Sequence, residues 1–122
     1  MGQLLHFRQL EAWQEAHKLV LTVYQVTREY PSDERFGLTT QMRRAAVSVP
    51  ANIAEGFKRR GIQEKVRFHN VNISEGSLEE LKYFLFLLKD LGYVPSNEEL
   101  MSQSETVGRL LHGLIASTER RR

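Results

Sequence analysis

Met42 to Arg60, MRRAAVSVPANIAEGFKRR, is the stretch whose reading decides the fold. At about 100° per residue, Met42, Ala46, Val49, Ile53, Gly56 and Phe57 share one face of a helix, while Arg44, Ser48, Asn52, Glu55 and Arg59 line another. The remaining flank, Val47, Pro50, Ala51 and Ala54, is small or apolar as well. A helix so apolar around its girth is buried on more than one side. The stretch therefore reads as a central helix packed against its own bundle and, through the second flank, against another subunit. Pro50 breaks the local rule: it has no N–H for the Ala46 carbonyl, and its ring disfavours a helical Val49. The helix either kinks there or stops and restarts with Ser48 or Val49 as a new cap. In both cases the Ala46 carbonyl needs another partner.

Outward from this helix, the same three- and four-residue spacing recurs on both sides. Trp13, Ala16, Val20, Val23, Thr27 and Tyr30 predict a first helix from about Arg8 to Tyr30, ended by Pro31. PSDERFGL is turn chemistry, after which Thr39 or Thr40 caps the second helix. Gly61 closes that helix. A third and longest helix is expected from about Ile62 to Leu91, with Ile62, Val66, Ile73, Ser77, Leu81, Phe84, Leu88 and Leu91 in one arc. Asn70 and Glu80 fall on the same face, and Val71, Leu78 and Leu85 form a second apolar flank. Gly92 is a left-handed stop. Ser96 with Glu99 makes a capping box for a fourth helix, whose inward line is Leu100, Gln103, Val107, Leu110 and Leu114. Helices joined by short turns, with no sustained period-two alternation, predict an all-α, up-down-up-down antiparallel four-helix bundle spanning residues 1–122 as one domain.

Composition narrows the function classes. With 122 residues, 41% apolar and 26% charged, the chain has enough material for one core. Cysteine is absent, which excludes a disulfide framework and a thiolate zinc site. His6, His17, His69 and His112 are far apart, so no metal motif is formed and no cofactor is expected. The longest apolar run, Tyr83 to Leu88, is too short for a bilayer. MGQLLHFRQLEAW lacks the pattern of a secretion signal, so a cytoplasmic protein without membrane contact is expected.

The polar stripe of the central helix, Arg44, Ser48, Asn52 and Glu55, is the strongest candidate for chemistry, with Glu80 facing it from the third helix. A carboxylate beside an arginine and an amide can position a phosphate or act as a base, which is the enzymatic reading. The stripe has no nucleophile with an adjacent histidine, no ligand cluster and no phosphate-cradling glycine loop. The competing reading is a structural polar network that fixes helix register and is costly to truncate. Gly76 and Ser77 mark either a ligand contact or, more in keeping with a helical glycine, a close helix crossing. Trp13, Tyr24, Tyr30 and Phe84 read as core or interface aromatics, with Phe68 and Phe86 the exceptions among charged neighbours.

RAAVSVPANIAEG, followed by GSLEEL and LGY, resembles the four-helix-bundle family first noticed as reading frames within intervening sequences of bacterial 23S ribosomal RNA genes. FRQLEAWQEA, ERFGLTTQMRRA and LLHGLIAS carry the likeness over nearly the whole chain. Relatives include the accessory protein of diversity-generating retroelements. What the resemblance implies is a homopentamer without established enzymatic activity and, for the retroelement branch, binding to RNA or DNA and to a reverse transcriptase. A pure protein-interaction module is the remaining alternative.

Charge placement bears on that expectation. In an up-down-up-down bundle the ends of helices two and four share a pole with the starts of helices one and three. This gathers Arg8, Lys58, Arg59, Arg60, Lys65, Arg67, Arg120, Arg121 and Arg122 as candidate nucleic-acid contacts. The opposite pole collects Glu29, Asp33, Glu34, Asp90, Glu98 and Glu99, only partly offset by Arg28 and Arg35. The subunit is therefore electrically polar although its net charge is only +2.

Overall fold

The structure, a computed structural model, describes residues 6–30, 37–58, 64–93 and 97–120, with the side chains of 64–68 and 117–120 outside the description. Among the described residues the chain forms a 3-10 turn at Phe7–Gln9 and helices α1 (Glu11–Thr27), α2 (Leu38–Lys58), α3 (Glu64–Asp90) and α4 (Glu98–Arg120), with no strand. Each helix packs on its neighbours in the chain, and α4 returns to α1, with the broadest seam between α2 and α3. This closes the expected four-helix bundle.

The first expected helix is two pieces. Leu10 is extended and separates the 3-10 turn from α1. His6 holds the turn by accepting from the Arg8 N–H at 3.2 Å, while its own N–H donates to Gln9 Oε1 at 3.0 Å. At the other end α1 stops at Thr27, three residues short of Tyr30. The Glu29 and Tyr30 N–H groups bond to Val26 and Thr27 instead, at 3.3 Å each. Pro31 disfavours a helical Tyr30, so the last turn tightens before it.

α2 starts at Leu38, ahead of the expected threonine caps. Thr39 is buried among the core contacts, and its hydroxyl has no partner. α2 then runs unbroken through Pro50, so the stop-and-restart alternative is excluded. Gly61 lies outside the described residues. Met42, Ala46, Val49 and Ile53 are buried, as their spacing required, and Ala45 joins them.

α3 buries Val71, Ser74, Leu78, Leu81, Leu85 and Leu88. Its inward axis lies between the two arcs expected from sequence, because α3 packs on both α2 and α4. Ile73 and Leu91, assigned to the inward arc, are exposed for that reason. Gly92 ends the turn at φ +78°, with its N–H on the Lys89 carbonyl at 3.0 Å and the Tyr93 N–H on the Leu88 carbonyl at 3.1 Å. α4 begins directly after Asn97, whose carbonyl accepts from Met101 N–H at 2.9 Å and whose amide donates to the Leu85 carbonyl. Ser96 of the expected capping box lies outside the described residues. Leu100, Ser104, Val107 and Leu111 are the inward residues of α4. The close crossing expected at Gly76 is not formed within the subunit, since a Cβ there would meet nothing within 4 Å; at Gly108 a Cβ would make ordinary contact with Leu78 Cδ2 at 3.5 Å.

Candidate functional site

Three of the five stripe residues are drawn into a hydrogen-bonded seam between α2 and α3. Asn52 spends its amide hydrogens on Ser48, at 2.9 Å to the carbonyl and 3.1 Å to Oγ. Asn70 of α3 donates to Asn52 Oδ1 and to Glu55 Oε2, both at 3.1 Å. Ser77 Oγ donates to Ser48 Oγ at 2.8 Å, and Ser74 Oγ donates to the Val49 carbonyl at 2.8 Å. Asn70 and Ser74 are buried; the Ser74–Val49 bond is shielded from water and the others lie in a partly buried seam.

Two features depart from the sequence expectation. Arg44 and Glu80 stand outside this network, exposed at the rim of a shallow recess shared with Gln41, Ala45, Ser48 and Ser77. Both side chains leave outward arcs of their helices, where water solvates a charge better than a half-buried seam does. The carbonyls that receive side-chain donors beside Pro50 are those of Ser48 and Val49, rather than Ala46. The α3 partners Asn70, Ser74 and Ser77 were assigned no place in the network from sequence. Their signal was present as small polar residues at steps of four and three, matching the stripe on α2.

What this arrangement does chemically is fix register. The hydroxyls of Ser48 and Ser77 bond to each other, and the amides of Asn52 and Asn70 are spent within the seam. Sliding α3 by one residue along α2 would break the bonds of Asn70, Ser74 and Ser77 to α2 while leaving those of Asn52 to Ser48 in place. Among the described residues no cluster of acidic or histidine side chains is placed to hold a metal ion.

At the basic pole, Arg8 and Lys58 are exposed. Arg59, Arg60, Arg121 and Arg122 lie outside the described residues, as do the side chains of Lys65, Arg67 and Arg120. At the opposite pole Glu29, Asp90, Glu98 and Glu99 are exposed beside Arg28; Asp33, Glu34 and Arg35 lie outside the description. Tyr30 is half-buried next to that pole, and burial pushes its phenol up to about 12. Among the aromatics, Phe84 is buried, and Trp13, Tyr24 and Tyr30 pack against the core. Phe86 is 58% exposed, as its charged neighbours led one to expect, and Tyr83 is 60% exposed, which sequence did not indicate. The side chain of Phe68 lies outside the description.

Among the described residues, no helix is long and apolar enough to cross a membrane. Residues 8–113 match the family described as 23S rRNA-intervening sequence protein, a span that includes the whole α2–α3 seam. No curated protein matches the chain.

Proposed function

This chain belongs to the 23S rRNA-intervening sequence protein family, and on that premise we propose that it is a non-enzymatic, self-assembling helical bundle. It works in the cytoplasm as a homopentameric scaffold whose basic pole binds nucleic acid. The observation that carries the reading is the set of large apolar side chains the bundle leaves in water: Leu21 at 56%, Tyr83 at 60% and Phe86 at 58% exposure. Tyr83 and Phe86 adjoin at three residues' spacing on α3 while Leu21 stands on α1, and exposed apolar patches of this kind mark association surfaces. The seam adds support from the other side, since Asn52 and Glu55 are engaged in holding α2 to α3.

Nucleic-acid binding rests on charge. Arg8 and Lys58 are exposed, and the arginines that follow Lys58 in sequence extend the basic run. A ring repeats such a patch around one face, so weak contacts become multivalent. The recognition is of phosphate rather than base, and each neutralised phosphate releases a condensed counterion. The test is a titration of labelled duplex DNA and single-stranded RNA at low and moderate salt, against a variant carrying Lys58→Glu, Arg59→Glu and Arg60→Glu. Binding at low salt that weakens steeply with salt and with the triple change is expected. Absence of binding, or indifference to the triple change, overturns the nucleic-acid role.

A further inference from the structure

Two outward rows of exposed side chains on this bundle are opposite in charge and alike in having an apolar centre. On α3, Asn72, Gly76, Glu79, Tyr83, Phe86 and Asp90 follow steps of four and three, and all are exposed. The charged members of this row are acidic, and Glu80 stands beside it. On α2 the corresponding row is Thr40, Arg44, Val47, Ala51, Glu55 and Lys58, all exposed; on α1 it is His17, Leu21 and Arg28. Arg28, Arg44 and Lys58 outweigh Glu55, whose carboxylate accepts from Asn70, so this face is basic on balance. Arg43 joins the α1 and α2 rows into one face, with its guanidinium 4.5 Å from the Tyr24 ring centroid and its Nε donating to Thr27 Oγ1 at 2.9 Å.

The heights of these rows along the bundle agree. Arg43 lies level with Tyr24 and Thr27, so four residues further along the antiparallel helix Val47 lies level with Leu21. Ser48 meets Ser77 and Asn52 meets Asn70 across the seam, which puts Val47 close to the level of Gly76, and Arg44 close to that of Glu79 and Glu80. Rotation about an axis parallel to the helices keeps every residue at its own height. A second copy related by such a rotation thus brings Leu21 and Val47 toward Gly76, where nothing stands within 4 Å of a Cβ position, and brings Arg44 toward Glu79.

We propose that copies of this chain associate head to tail, the acidic α3 row of one copy docking on the basic α1–α2 face of the next, with Leu21 and Val47 seated over Gly76. The proposal rests on the self-assembly reading above and names the surfaces that perform it. Nucleic acid is a poor occupant of the α3 row, because Glu79, Glu80 and Asp90 repel phosphate. A symmetric α3-to-α3 contact sets the same acids against each other. A surface with cations around an apolar centre fits, and the chain carries one. Contacts between two different faces close into a ring when the rotation allows it. A glycine inside an exposed helix, unfavourable for the isolated subunit, has its explanation in the close approach.

The experiment is light scattering and sedimentation on the full chain and three variants, each checked for helicity and cooperative melting. Gly76→Gln fills the open space with a good helix former and leaves the subunit interior untouched. Glu79→Arg with Glu80→Arg makes both faces basic; Arg28→Glu with Arg44→Glu makes both acidic. Each variant alone is expected to self-associate on the order of a hundredfold more weakly than the parent. Mixing the two charge-reversed variants is expected to restore a larger species containing both chains. A folded Gly76→Gln protein that assembles like the parent, or charge-reversed variants that assemble alone or fail to combine when mixed, overturns the placement while leaving self-assembly intact. A monomeric parent at micromolar concentration overturns both.

Discussion

Ser74 Oγ donates to the Val49 carbonyl at 2.8 Å, across the α2–α3 seam and one residue ahead of Pro50. A proline inside a helix removes one backbone hydrogen bond and crowds the preceding turn. Donors from Ser74 and from Asn52 lie on the carbonyls of Val49 and Ser48, the two residues before the ring. The bond lost at Pro50 is the one to the Ala46 carbonyl, so Ser74 ties α3 to α2 beside the interruption rather than replacing the missing bond. Replacing Ser74 by alanine is expected to cost about 1 kcal/mol, read as a lower urea midpoint at unchanged m-value. An unchanged midpoint would show that the Val49 carbonyl needs no support from α3.

Asn70 and Asn52 act as a unit, since the amide of Asn70 bridges Asn52 and Glu55. Asn70→Ala and Asn52→Ala are each expected to cost about 1 to 3 kcal/mol, because partner groups are left unpaired in a partly buried seam. The double variant should lose less than the sum, by about 0.5 kcal/mol or more. Strict additivity in a double-mutant cycle would mean the two amides are energetically independent despite their contact.

Gly76 and Gly92 should respond oppositely to alanine. Gly76 is helical with open space at its Cβ position, so Gly76→Ala is expected to stabilise the dissociated subunit by about 0.5 to 1 kcal/mol. Gly92 sits at φ +78°, where a side chain is strained, and Gly92→Ala should destabilise by about 1 kcal/mol. Denaturation at low protein concentration separates these effects from assembly.

Tyr30 sets a pH dependence at the alkaline end. Its phenol is raised from 10.0 to about 12 by burial, so the fold favours the neutral form. Below pH 10 both states are protonated and the contribution is complete. Between pH 10 and 12 the unfolded chain ionises while the fold does not, and stability falls as pH rises. Tyr30→Phe removes that slope and also a buried hydroxyl with no partner, so it is expected to leave the melting temperature at pH 7 unchanged or slightly higher. Parent and variant with the same loss of melting temperature from pH 10 to 12 would place the titrating group elsewhere.

Much of the site was legible because it obeys helical spacing. Ser48, Asn52 and Glu55 lie on one arc of α2, and that arc did face a partner helix. Arg44 shares the arc but ends in water, and Glu80, expected opposite it, does too. Spacing locates a side chain on a helix to within a face, whereas a difference of a few tens of degrees decides between seam and solvent. Asn70 was visible on an inward arc of the third helix, yet its role required knowing how far α3 is rotated against α2.

By itself, the sequence determined four amphipathic helices, their order and the stop at Gly92, because periodicity and a left-handed stop signal are local properties of the chain. It also predicts a charge separation along the bundle, since an antiparallel order of helices assigns each terminus to a pole; of the predicted basic members, Arg8 and Lys58 are described and exposed. Only the tertiary structure decided the rotation of each helix about its own axis. That rotation buries Ser74, exposes Ile73 and Tyr83, and leaves Gly76 with open space at its Cβ position. It is fixed by side chains from two neighbouring helices competing for the same interior volume, a sum over contacts distant in sequence that no single segment encodes.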